Sequence, residues 1–306
     1  MEIWAIYAVG ASLFWSLVNM VDKYLVSKYT NEEHSSGALV LFSSLVGVFI
    51  AFFIGIFNPG IWHIGTIDKL LLILVGFTSV AWILFYLYAL EIEDVSVVVP
   101  WFLTIPAFGY IFGFIFLGES LTYYQQIGSL IIMLGLIVLS IDFKKEKVSK
   151  FKTKVVLYML AACIIIAAQG IVFKYVAEVE SFWVSSFWEY LGLGLMGLIL
   201  YIFIPHYRRD FMRMNKEGGL KIFSLNALSE LTTTTGDLLS KFALLLAPVT
   251  VVYLMSSFQP AFVLMLTILG TLFFPSIVNE SLSYRVLVPK IIAILITIVG
   301  SFVLFM

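Results

Sequence analysis

What most constrains this chain is a run of apolar stretches of about 20 residues that follow one another along its whole length, each matching a hydrocarbon layer of roughly 30 Å at 1.5 Å per helical residue. Ten are read, near 3–26, 37–57, 69–90, 95–117, 121–141, 154–177, 183–205, 220–246, 248–274 and 285–306. A bilayer core offers no water to exposed backbone groups, so such stretches cross it as helices. The fold class predicted is therefore an all-α integral membrane protein with ten transmembrane helices. Composition agrees, at 61% hydrophobic, 12% charged and a mean hydropathy of +1.05, where a soluble domain is about half apolar and a quarter charged. The longest polar connections are "DFKKEKVSKFKTK" (142–154) and "HYRRDFMRMNKEGGLK" (206–221), which leave no span for a soluble domain. "MEIWAIYAVG" lacks the basic region and cleavage site of a signal peptide, so the first span is expected to stay in the mature protein.

Several chemistries are excluded early. A net charge of −1 gives no basis for a nucleic-acid partner. Cys163 is alone, which rules out an internal disulfide or a thiolate metal cluster and makes it a small packing residue. His34, His63 and His206 fall far apart at span ends or in loops, so neither a metal nor a cofactor is expected. "GLGLMG" (192–197) fits Gly-x-Gly-x-x-Gly but has no preceding strand and lies inside an apolar helix, so a dinucleotide site is rejected. Small residues there, and in "GYIFG" (109–113), let helices approach closely, either between halves of the chain or in a homodimer.

The two halves repeat. "DKYLV" (22–26) answers to "FKYVA" (173–177), which aligns Lys23 with Lys174, and "ALEIEDVSVVV" (89–99) answers to "ALLLAPVTVVY" (243–253). "PAF" recurs at 106–108 and 260–262, "ESL" at 119–121 and 280–282, and Gly-x-x-Val-Leu at 135–139 and 300–304. Offsets that only grow along the chain are what a duplicated ancestor with small loop insertions leaves. An odd number of spans per copy turns the second copy upside down, so the domains predicted are two inverted five-helix repeats, 1–143 and 155–306, joined by a basic connecting loop at 144–154. Many secondary transporters use that arrangement to alternate a midplane site between two faces.

With these repeats, the prolines at Pro106 and Pro260 and the segment "LGESLTYYQQIGSLIIMLGLIVL" (117–139), the chain resembles the EamA type of the drug/metabolite transporter superfamily over essentially its whole length. The second copy of the segment departs from the family pattern, with Asn279 in place of the glycine and Ser283 in place of the threonine. The resemblance implies solute transport through a cavity between the repeats, with Pro106 and Pro260 as hinges, and it implies cytoplasmic termini. Charge points the other way. Lys144, Lys145, Lys147, Lys150, Lys152 and Lys154 lie in one connection and Arg208, Arg209, Arg213, Lys216 and Lys221 in another, against almost only Lys69 on the opposite side. Basic loops face the cytoplasm, which puts both termini outside. The expected location is the plasma membrane.

Within the eighth stretch, Glu230, Thr234, Asp237 and Lys241 are spaced +4, +3 and +4 and share one face of a helix. A charge at mid-bilayer costs a few kcal/mol, so such a stripe is expected to face protein or a water-filled cavity. A structural reading stands beside this one: Asp237 and Lys241, one turn apart, neutralise each other and the threonines bond to backbone carbonyls. That reading leaves Glu230 without a partner in its own helix. Ser12, Ser16, Asn19 and Lys23 repeat the spacing in the first stretch, with Trp15 beside them; Lys23 could equally snorkel to the interface. Ser185, Glu189 and Gly192 share one side of the seventh, where Glu189 either faces the cavity or reaches the headgroups, and Trp188 is adjacent. Pro100, Thr104 and Pro106 in the fourth stretch, and Ser256, Ser257, Gln259 and Pro260 in the ninth, mark bends, with Trp101 and Gln259 as wall residues. Glu119 and Glu280 open helices, where a carboxylate opposes the positive helix end.

These residues point to a secondary transporter for a small organic solute, such as an amine or amino acid, with Trp15, Asn19, Trp101, Glu189, Glu230, Thr234, Asp237, Lys241 and Gln259 as the binding set. Glu189, Glu230 or Asp237 would bind a cationic group or a coupling proton, aided by Trp15, Trp101, Trp188 and Tyr86 through cation–π contacts. The alternatives are a flippase for a lipid-linked intermediate and, less well supported, an intramembrane transferase, for which no Asp-rich metal–phosphate, His-Glu-x-x-His or Gly-x-Ser-x-Gly motif is present. No ATP site is present either, so the driving force expected is a gradient.

Overall fold

The computed structural model describes residues 2–29, 36–93, 98–139, 153–273 and 284–306. Among these, every regular element is a helix. The α-helices are α1 (Ile3–Tyr29), α2 (Ser36–Phe57), α3 (Thr66–Ile92), α4 (Ile105–Phe112), α5 (Tyr123–Leu139), α6 (Thr153–Ala177), α7 (Phe182–Phe203), α8 (Pro205–Leu246), α9 (Val249–Ser256), α10 (Gln259–Phe273) and α11 (Tyr284–Leu304). Among the described residues, six helical segments are long and apolar enough to cross a membrane: Ile3–Asp22, Ser36–Phe57, Thr66–Ile92, Thr153–Ala177, Phe182–Phe203 and Val249–Gly270. Shorter apolar helices cover Trp101–Leu117 and Ile291–Leu304. The protein is a multi-pass membrane protein.

The polar segment 206–221, expected as a loop, is helical. It runs into the eighth stretch within α8, interrupted at Gly219, whose φ of 58° and ψ of −160° suit glycine alone. The fourth and ninth stretches each change helical turn part-way instead of running as one regular α-helix. A 3₁₀ turn over Val99–Thr104 precedes α4, and a π turn over Gly113–Leu117 follows it. The ninth stretch parts at Ser257 between α9 and α10. Pro106 and Pro260 each occupy the second position of the helix after the change. A missing N–H costs nothing there, because first-turn donors have no intrahelical acceptor. Each proline thus sits at a junction between two helical segments of one stretch.

Glycines decide which helices pack. A Cβ at Gly192 would lie 2.5 Å from the Ile73 carbonyl oxygen, one at Gly194 2.5 Å from Val48, and one at Gly197 2.6 Å from Ser44, so the rejected dinucleotide motif is the seam on which α7 meets α2 and α3. Gly76 faces back, with a Cβ position 2.2 Å from the Glu189 carbonyl oxygen. Gly109 packs against the Tyr253 ring, so that part of "GYIFG" joins the two halves of this chain. Elsewhere α5 packs on α11, α1 on α8, α3 on α6, α4 on α6, and α1 on α9 and α10.

Candidate functional site

The helices enclose a cavity of about 230 Å³ whose walls come from both halves of the chain. Trp15, Asn19, Glu189, Glu230, Thr234, Asp237, Lys241, Gln259 and Pro260 all line it. The eighth stretch therefore turns its polar stripe inward. Trp101 is not among the lining residues and packs against the cluster containing Leu25, Leu87 and Met159, where its carbonyl accepts from the Cys163 thiol at 3.3 Å. Pro106 is buried outside the lining. Trp188 is buried too, donating its indole N–H to the Ile61 carbonyl at 2.9 Å, with Lys69 over its ring at 4.7 Å. Of the four aromatic residues expected near a cation, Trp15 and Tyr86 face the cavity.

The charged side chains have partners that local spacing does not suggest. Lys241 pairs with Glu189 of α7, Nζ to Oε2 at 2.9 Å, and stands over the Tyr190 ring at 4.7 Å. Glu189 is 7% exposed, which overturns the headgroup reading. Asp237 accepts instead from the Trp15 indole N–H at 2.9 Å, so the intrahelical Asp237–Lys241 pair is not what neutralises Lys241. Glu230 takes a short hydrogen bond from the Ser43 hydroxyl of α2. The Tyr86 hydroxyl donates to the Asn19 side-chain oxygen at 2.9 Å and also lies in hydrogen-bond contact with Asp22. Ser16 donates to the Gln259 carbonyl at 3.1 Å, tying α1 to the junction in the ninth stretch. Of the four threonines, Thr232, Thr233 and Thr235 do bond to backbone carbonyls, those of Leu228, Ser229 and Leu231.

Asp22 is a charged lining residue that the sequence did not single out; it entered there only as part of a repeat match. Its spacing gives it away in retrospect, since 15, 19 and 22 are +4 and +3 apart. Ser43 and Gln169 also line the cavity, and a serine or glutamine in an apolar helix carries no comparable signal.

A second charged cluster lies outside the lining. Lys174 pairs with Glu119 at 2.7 Å and donates to the Ala247 carbonyl at 2.8 Å, while Glu119 accepts from the Val249 N–H at 2.8 Å. Glu119 therefore caps α9 in the other half of the chain, not the helix that follows it in sequence. Glu280 lies outside the described residues, as do the lysines of 140–152 and His34.

A model of the EamA-like transporter family matches residues 2–141. That stretch is 140 of the 306 residues, just under half of the chain. The family so described is one of transporters. The match covers the half that carries Trp15, Asn19 and Asp22. The likeness of fold extends further: a solved structure titled only "Crystal structure of protein" aligns over 98% of this chain and 95% of its own, at a TM-score of 0.64 and 16% identity. No curated protein matches the chain.

Proposed function

We propose that the protein is a secondary transporter that moves a small organic metabolite bearing a cationic nitrogen, an amine or amino acid, across the plasma membrane by alternating access. The observation that carries this reading is the charge of the cavity. Asp22, Glu189, Glu230 and Asp237 line it, and Lys241 is the one cation among the described lining residues. A carboxylate kept at membrane depth is costly, and it persists where it meets a partner or a passing solute. Trp15 and Ser43 hold two of the carboxylates with neutral donors, which fixes their positions without supplying a counter-charge, and Tyr86 is in hydrogen-bond contact with a third, Asp22.

The moving parts are two inverted five-helix repeats of ten spans, 1–143 and 155–306. Supporting this, the packing is paired: the first span lies on the eighth as the third lies on the sixth, and the fifth lies on the tenth. The junctions before α4 and α10 fall at matching positions of the two halves. Pro106 and Pro260 mark where each stretch would re-angle. Coupling is to a proton or another ion, or by exchange, because a gradient is the driving force a chain of this kind can use. Reconstituted proteoliposomes preloaded with unlabelled solute test the reading. Counterflow of a labelled amine or amino acid, lost in Asp237→Asn, supports it; no counterflow of any soluble compound overturns it and points to a lipid substrate.

A further inference from the structure

The carboxylates of the cavity are not one cluster but two. Helix α1 runs antiparallel to α8, since Tyr7 meets Phe242 and Trp15 meets Asp237. Asn19 and Asp22 therefore lie towards Glu230, whose surroundings include the charge of Asp22. Asp237 stands two helical turns away, about 10 Å along the axis, next to the Glu189–Lys241 pair. The first station has two carboxylates, Glu230 accepting from the Ser43 hydroxyl and Asp22 in contact with the Tyr86 hydroxyl, whose proton is given to Asn19. The second has two carboxylates that share the ammonium of Lys241, which forms its ion pair with Glu189. Each station thus has one negative charge or more beyond what the described lining residues offset.

A second observation marks the first station as built for a ligand. Asn19 is 4% exposed and lines the cavity, and its side-chain nitrogen has no partner while its oxygen is taken by Tyr86. Tyr86 lies between Asn19 and Asp22. If the amide turns over, its N–H donates to the Tyr86 oxygen, the Tyr86 proton goes to Asp22, and the Asn19 oxygen is freed to accept from an incoming ammonium; amide orientation is set by such networks. Ser256, 7% exposed and also lining the cavity, has a hydroxyl without a partner that can accept as well. Val46, Ile83 and Leu193 also line the cavity, one helical turn from Ser43, Tyr86 and Glu189 respectively, and suit methylene groups.

We infer that the solute is a linear diamine, with one ammonium bound at Asp22, Glu230 and Asn19 and the other at Asp237, its hydrocarbon chain spanning the distance between them. This rests on the transport reading above and narrows it. Two joined ammonium groups bind cooperatively when their spacing matches the stations, because the second binds intramolecularly once the first is seated. A monoamine of the same length fills one station and leaves the other carboxylates bare.

The test is the dissociation constant of detergent-purified full-length protein, by titration calorimetry, for n-butylamine, n-hexylamine and the α,ω-diamines from 1,3-diaminopropane to 1,8-diaminooctane. Affinity is expected to peak at one diamine length, at least about tenfold tighter than the matching monoamine. Glu230→Gln and Asp237→Asn should each reduce that diamine to monoamine affinity. Equal affinity of monoamines and diamines, or no dependence on length in the unmodified protein, overturns the inference whether or not the variants fold. Counterflow run in parallel separates the two readings. Transport of a solute with a single cationic nitrogen, with no diamine bound, sinks the diamine and leaves the transporter standing; no counterflow of any solute sinks both.

Discussion

Lys241 Nζ lies 2.9 Å from Glu189 Oε2 on the neighbouring helix α7, although Asp237 sits one turn away on Lys241's own helix. The pair is possible because Gly76, Gly192 and Gly194 let α3 and α2 close on α7 and fix Glu189 against the cavity. Removing one member of a buried ion pair strands the other's charge, at a cost of about 3–5 kcal/mol. Lys241→Met is therefore expected to lower the thermal unfolding midpoint strongly. Adding Glu189→Gln should recover most of the loss. A double variant as unstable as the sum of the single ones would show that the two side chains act independently.

Glu119 performs two tasks across the halves, pairing with Lys174 and accepting from the Val249 N–H. Glu119→Gln keeps an oxygen for the N–H and loses the charge; Glu119→Ala loses both. Thermal unfolding in detergent should rank them unmodified, Gln, Ala in falling stability, with the last step about 1–3 kcal/mol for a buried donor left unsatisfied. Equal midpoints for the two variants would mean that the cap contributes nothing.

Close helix approach predicts a contrast between glycines. At Gly76 a Cβ would lie 2.2 Å from the Glu189 carbonyl oxygen and 2.4 Å from the Leu193 nitrogen, whereas at Gly60 nothing lies within 4 Å. Gly76→Ala should destabilise by about 1–3 kcal/mol or more through forced backbone shifts, and Gly60→Ala should stay within about 0.5 kcal/mol. Similar unfolding midpoints for both would contradict the packing of α3 on α7.

Orientation can be read by labelling. In a Cys163→Ala background, cysteines placed at the exposed positions Lys216 and Trp62 should react with a membrane-impermeant maleimide from opposite sides. The basic segment around Lys216 is expected on the cytoplasmic side. Labelling of position 216 from outside intact cells would reverse the orientation and restore the cytoplasmic termini that the family resemblance implies.

The helical architecture was readable because bilayer thickness sets the length of an apolar stretch, and most expected bounds lie within a few residues of the helices observed. The stripe of Glu230, Thr234, Asp237 and Lys241 was readable because charge within such a stretch has few places to go. Its energetics were not. Periodicity reports which residues share a face of one helix, but the partners of Lys241, Asp237 and Glu230 come from α7, α1 and α2 and depend on tertiary packing. Asp22 shares a helix face with Trp15 and Asn19 and was legible from that spacing; its Tyr86 contact from α3 was not. Trp101 and Trp188 show the converse, since an indole beside a polar stripe in sequence can turn away to pack or to satisfy a carbonyl. Sequence locates Pro106 and Pro260 but not the change of helical turn beside each of them.

The central claim is that the cavity carboxylates bind a cationic solute. It is tested most directly by thermal unfolding of the purified protein with amines, amino acids, sugars and organic acids, repeated for Asp237→Asn and Glu230→Gln. A ligand that binds only the folded state raises its stability by about 2.7 kcal/mol at a hundred times its dissociation constant. The account predicts stabilisation by solutes bearing an ammonium group, lost in both variants. Stabilisation by sugars or organic acids alone, or an amine effect that survives both substitutions, would contradict it.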